Sequence, residues 1–177
     1  MARFFRRVAA AAALALAAGC AGLAPAPDPG LEGLPTAFEM AGRLSVARGG
    51  AGEIVRIRWV AKEGRDEILL ATPVGGDLAR IEGSHLGWSL ERPGTAPLAY
   101  DGLPALSEDL LSARLDRTQL VAWLHGRGGG ESGPGGWSVA LPETQSASGR
   151  TVARRVEARR GDVVVKLVVD RYRSPPE

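Results

Sequence analysis

The chain has 177 residues, 45% of them hydrophobic, and sets 22 lysines and arginines against 20 acids for a formal charge of +2. The first 19 residues hold three arginines and no acid, so the rest has 19 bases facing 20 acids, and the basic balance is no sign of nucleic-acid binding. A single cysteine excludes an internal disulfide and a thiolate zinc cluster, and the only lysines, Lys62 and Lys166, follow no glycine-rich turn of the phosphate-binding kind.

Three arginines within Met1–Arg7 precede an apolar run from Val8 to Ala18, the layout of a secretory signal peptide over residues 1–19. That run is shorter than the ~20 residues a helix needs to cross a bilayer. It ends in Leu16-Ala-Ala-Gly-Cys20, which resembles a lipobox, where small residues admit a peptidase and the thiol accepts a diacylglycerol. The alternative is an ordinary secretory signal followed by a chance cysteine; the sole cysteine standing at this position favours lipidation of Cys20. Neither Ala21 nor Gly22 is an acid, and an aspartate there is the usual inner-membrane retention signal in enteric bacteria, so the outer membrane is the expected destination. Residues 20–36, rich in Pro, Gly and Ala, read as a lipidated tether, 37–173 as one domain and 174–177 as a tail.

The domain opens with alternation. Phe38, Met40, Gly42, Leu44 and Val46 fall on one side of a strand and Glu39, Arg43 and Ser45 on the other. A second strand carries Val55, Ile57 and Trp59; after a turn at Glu63–Asp66, a third carries Ile68, Leu70 and Thr72. The stretch Thr72–Gly76 interrupts the pattern, Ala79 and Ile81 resume it, and Leu86, Trp88 and Leu90 make a fifth strand. Five strands at short, even spacing predict an antiparallel sheet that coils or closes.

The middle is helical. Ser107-Glu-Asp109 is expected to cap a short helix with Leu106, Leu110, Leu111 and Leu115 on its apolar side. A second helix starts at Asp116, with Gln119 as capping-box partner, and runs through Leu120, Trp123 and Leu124 to a stop at Gly126. Gly128–Gly136 reads as a mobile glycine-rich loop, Trp137, Val139 and Leu141 as a strand, and Glu143–Arg150 as a polar break before Val152–Ala158. The closing strand from Val163, nearly continuous valine, is expected to be covered on both faces.

No constellation points to catalysis or to a metal or other cofactor. His85 and His125 stand apart, the latter at a helix end where a cation suits the dipole. Arg160-Gly-Asp162 matches an adhesion tripeptide but is also what a hairpin turn asks for. The arginines at 150, 154, 155, 159 and 160 read as a solvated strand face or a docking surface for an acidic partner or anionic head groups. The four tryptophans, 59, 88, 123 and 137, either fill a core or line a cavity.

Six stretches resemble the LolB family in order: Phe38-Glu-Met-Ala-Gly-Arg-Leu-Ser-Val46, Arg56-Ile-Arg-Trp59, Ile68 to Gly76, Leu120-Val-Ala-Trp-Leu-His-Gly126, Gly136-Trp137 and the strand from Val163 to Tyr172. The resemblance implies a mainly β fold, an incomplete and strongly curved antiparallel barrel whose short helices cover an apolar cavity. It implies an outer-membrane receptor, not an enzyme, that accepts acylated lipoprotein cargo from a LolA-like periplasmic carrier and inserts it without nucleotide hydrolysis. The membrane-insertion loop falls on Pro73, Val74 and Gly75, with valine where the family usually has leucine. Cavity residues are expected at Leu44, Val46, Ile57, Trp59, Leu70, Trp88, Leu120, Trp123 and Leu124, and the expected form is a monomer held to the membrane by its N-terminal lipid. The competing reading is a structural or assembly-scaffold outer-membrane lipoprotein with a solid core; an enzyme is the third.

Overall fold

The computed structural model describes residues 33–130 and 134–175; Cys20, the signal segment, most of the tether and residues 131–133 of the glycine-rich loop lie outside them. Within these bounds the alternating segments form nine strands: β1 (Phe38–Arg48), β2 (Ala51–Lys62), β3 (Arg65–Ala71), β4 (Asp77–Ser84), β5 (Gly87–Glu91), β6 (Leu98–Tyr100), β7 (Ser138–Ala147), β8 (Arg150–Arg160) and β9 (Val163–Arg173). They pair antiparallel in one sheet of order β6-β5-β4-β3-β2-β1-β9-β8-β7. β6 and β7 are its two edges and do not pair, so the sheet is an unclosed barrel. Curling is evident in the core, where Ile81 and Leu90 from one half share a cluster with Val152 and Val169 from the other.

Two places in the ladder depend on missing side chains. A methyl on Gly42 would overlap the Val168 carbonyl oxygen, so glycine lets β1 approach β9 beside the bulge at Ala41/Gly42. Across the β4–β5 pair the Trp88 ring lies directly over Gly83.

Two helices cover the concave side. α1 (Leu103–Leu111) packs on β5 and β6, and α2 (Arg117–Leu124) packs on β8. α2 begins as its sequence predicts: Asp116 Oδ1 accepts from the Thr118 N–H at 2.8 Å and Gln119 Oε1 accepts from the Asp116 N–H at 3.4 Å. Gly126 follows at φ +73°, a conformation that suits glycine and stops the helix.

Several expectations are corrected. α1 is capped five residues earlier than Ser107, at Gly102, with Pro104 in its first turn, a start that fits proline's fixed φ. Ser107 is therefore inside the helix and buried, and its Oγ accepts the Leu115 N–H at 2.8 Å, tying the helix to the segment after it. The polar stretch Glu143–Ala147 continues β7, because an edge strand with one exposed face tolerates polar residues. β6 went unpredicted; three residues carry too little alternation. Leu86 belongs to the β4–β5 turn and is 86% exposed. β9 buries Val163, Val165 and Val169 on one face, while Lys166 and Asp170 on the other are exposed, so its outer face is not covered. In the glycine-rich loop, Gly130 exchanges two backbone hydrogen bonds with Val139, at 2.9 and 2.8 Å, and is held to the start of β7.

Candidate functional site

Two apolar clusters line the inside of the sheet. One gathers Phe38, Met40, Trp59, Ile68, Ile81 and Leu90 with Val121 and Leu124; the other gathers Leu115, Trp123, Trp137, Val156 and Val165. Leu120 and Leu167 pack against both. At this seam, beneath α1 and α2, lies a cavity of about 90 Å³ lined by apolar side chains and Ser107.

Seven of the nine expected cavity residues line it: Leu44, Ile57, Trp59, Leu70, Leu120, Trp123 and Leu124. Two do not. Trp88 is buried in the first cluster but spends its face on Gly83. Val46 lies farther along β1, in an open groove of about 730 Å³ at the barrel rim. Leu44, Leu70, Leu110 and Leu111 border both spaces, so the groove adjoins the cavity. Sequence reasoning missed Leu103, Leu106 and Val156 in the wall. Inward alternation marks Val156, and Leu106 belongs to the predicted helical stripe, but pattern alone does not separate cavity wall from packed core.

The wall is braced by buried charge. Asp66, expected in a turn, is in β3; its carboxylate accepts from Trp59 Nε1 at 2.8 Å and from Arg117 Nε and Nη2 at 2.6 and 3.1 Å. One carboxylate thus orients a cavity tryptophan and anchors the first residue of α2 to the sheet. Glu39 likewise receives Arg58 at 2.9 Å and Arg173 at 3.0 Å across three neighbouring strands. Burial pushes the Glu39 carboxyl up, but the two guanidinium groups outweigh it and hold the carboxyl below its ordinary 4.5.

His125 caps the other end of α2. Its Nδ1 lies 2.7 Å from the Val121 carbonyl and its Nε2 2.8 Å from the Tyr172 hydroxyl, which assigns a neutral ring donating from Nδ1 and accepting at Nε2. Burial is the main cause that moves its pKa below 6.5, so the expected helix-end cation is a neutral core histidine instead. Phe38 packs edge-on against it and against Trp59, at centroid distances of 5.6 and 5.0 Å.

The predicted insertion loop is the β3–β4 turn, beside the groove. The Thr72 carbonyl accepts from the Gly75 N–H at 3.0 Å and the Gly76 carbonyl from the Thr72 N–H at 2.7 Å, closing a tight loop that leaves Val74 95% exposed. The arginines of β8 are largely engaged locally: Arg154 and Arg155 face Glu143 at 3.0 and 3.9 Å, Arg159 faces Glu157 at 3.8 Å, and Arg160 lies 6.0 Å over the Trp137 ring. Gly161-Asp162 is the β8–β9 turn, with Asp162 3.9 Å from Arg48. Among the described residues no group of three His, Cys, Asp or Glu side chains is placed to hold a metal, and no helix is long and apolar enough to cross a membrane.

A family model described as outer membrane lipoprotein LolB matches residues 36–172. The chain belongs to the LolB family. A LolB outer-membrane lipoprotein of Thiobacillus denitrificans is 30% identical over 97% of this chain and all of its own length, and one of Azoarcus sp. is 27% identical over 97% of this chain and 96% of its own. Among solved structures, a DUF1329 family protein from Desulfovibrio piger shares the fold with a TM-score of 0.51 at 9% identity, covering 81% of this chain and 87% of that one.

Proposed function

We propose that this LolB-family protein is an outer-membrane lipoprotein receptor: it takes acylated lipoproteins from a LolA-like periplasmic carrier into the cavity beneath α1 and α2 and passes them into the outer membrane. The observation that carries the reading is a cavity walled almost wholly by apolar side chains, bordered by Leu44, Leu70, Leu110 and Leu111, which it shares with a groove at the barrel rim. Burying an acyl chain is worth about 0.8 kcal/mol per methylene, so a chain in transit through water needs an apolar host at each step. At about 90 Å³ the cavity is well below the ~300 Å³ lower range of ligand pockets, so uptake requires α1 or α2 to move and open the space toward the groove. The protein's own Cys20, in this reading, is lipidated and tethers residues 37–173 to the periplasmic face as a monomer, and the Val74 loop enters the bilayer when cargo is released. Transfer runs down an affinity gradient from carrier to receptor to membrane, without nucleotide.

The small cavity is also what a solid-core scaffold would show. An environment-sensitive acyl probe added to protein carrying Cys20→Ala separates the two: the receptor binds it and releases it to added lipoprotein, and a scaffold does neither. In cells, depletion of a receptor mislocalises many different outer-membrane lipoproteins, whereas depletion of a scaffold disturbs one assembly.

A further inference from the structure

The groove at the rim differs from the cavity in one respect: it carries charge. Its floor is apolar, with Leu44, Val46, Val55, Leu70 and Leu78 below the C-terminal end of α1, but Arg48 and Arg92 stand in its wall against a single carboxylate, Glu53. Arg92 is half-buried and has no carboxylate partner in ion-pair range among the described residues. Arg48 gives Nη2 to the Ser112 carbonyl at 2.6 Å and has its Nε 3.9 Å from the Asp162 carboxylate, so it is the less available of the two. A partly buried guanidinium beside an apolar floor, with no carboxylate to neutralise it, favours an anion joined to a hydrocarbon chain.

The acylated cysteine of a lipoprotein carries ester and amide groups and no phosphate, so its lipid end offers Arg92 no anion. A membrane phospholipid does. The exposed Val74 loop, between the strands that supply Leu70 and Leu78, places the groove's entrance where this protein would meet a leaflet. We propose that the groove is a binding site for an anionic phospholipid, one acyl chain lying on the floor from Leu44 to Leu78 and the phosphate held by Arg92, with Arg48 adding positive potential. A lipid seated there covers Leu110 and Leu111, which border the cavity, and so occupies the path that cargo takes out.

The test compares lysophosphatidylglycerol with lysophosphatidylcholine of the same chain, both below micelle-forming concentrations, on protein carrying Cys20→Ala. The anionic lipid is expected to bind about tenfold tighter, as one charge-assisted contact gives, with the preference shrinking in high salt. Arg92→Gln is expected to bring the two within about twofold, and Arg92→Lys to keep most of the preference. Equal affinity for the two lipids, or a preference that survives Arg92→Gln, overturns the proposal. Competition by glycerol 3-phosphate alone also overturns it, since the site would then read phosphate without a chain. If neither lysolipid binds while the acyl probe still does, the groove proposal fails and the receptor reading stands; if the probe fails too, both fall.

Discussion

Val74 is 95% exposed at the tip of a turn whose own backbone hydrogen bonds hold it closed. An isolated apolar side chain in water costs little, so nothing in the fold requires valine there. Changing Val74 to glutamate is expected to leave stability within about 0.5 kcal/mol and carrier-to-receptor transfer intact, while blocking delivery into vesicles; delivery that persists in a reconstituted assay would show that the loop does not insert. Glu39 makes the opposite kind of residue-scale prediction. Its folded pKa lies below 4.5, so its contribution to stability is fully present above about pH 4.5 and is lost as pH falls through the lower folded value. Urea melts across this range should show Glu39→Gln less stable near neutrality and flatter toward acid than the parent.

At the scale of the element, α2 is held at both ends by side chains distant in sequence. Asp66 grips Arg117 at its start, and Tyr172 grips His125 at its end. Tyr172→Phe leaves the buried His125 Nε2 without its donor and is expected to destabilise the protein by about 1–3 kcal/mol in denaturant unfolding. The start of α2 was legible because a capping box is a local device written in adjacent residues. The start of α1 was not, since Gly102 offers no side-chain cap and the Ser107-Glu-Asp109 cluster imitates one; its serine is occupied instead with the Leu115 N–H, a tertiary partner.

For the whole molecule, the decisive feature is that sheet and helices meet around a space instead of a continuous core. Leu120, which packs against both clusters, is the position from which that space can be filled. Leu120→Trp is expected to retain the fold by circular dichroism and abolish acyl-probe binding, whereas a solid-core scaffold would keep its cellular role. The inward set of each strand followed from period-2 alternation, which brings Leu44, Ile57, Trp59 and Leu70 to the cavity, while Leu120, Trp123 and Leu124 reach it from the apolar side of α2. Trp88 shows the limit of the method: it is inward and buried like Trp59, yet the glycine opposite it takes the ring flat against β4, while the Trp59 indole, tied to Asp66, lines the cavity.

Alternation, turn residues and a capping box are short-range signals, and through them the sequence alone determined eight of the sheet's nine strands, the second helix, the valine turn and the family resemblance. Position within the barrel is a long-range quantity. Which inward side chains fill space and which border it, the burial of Asp66 and Glu39 against arginines up to 134 residues away, the neutrality of His125 and the charged groove beside the cavity were decided only when the sheet curled and the helices closed over it. The physical reason is that packing and desolvation depend on every element that shares the core, and no window of the chain contains them all.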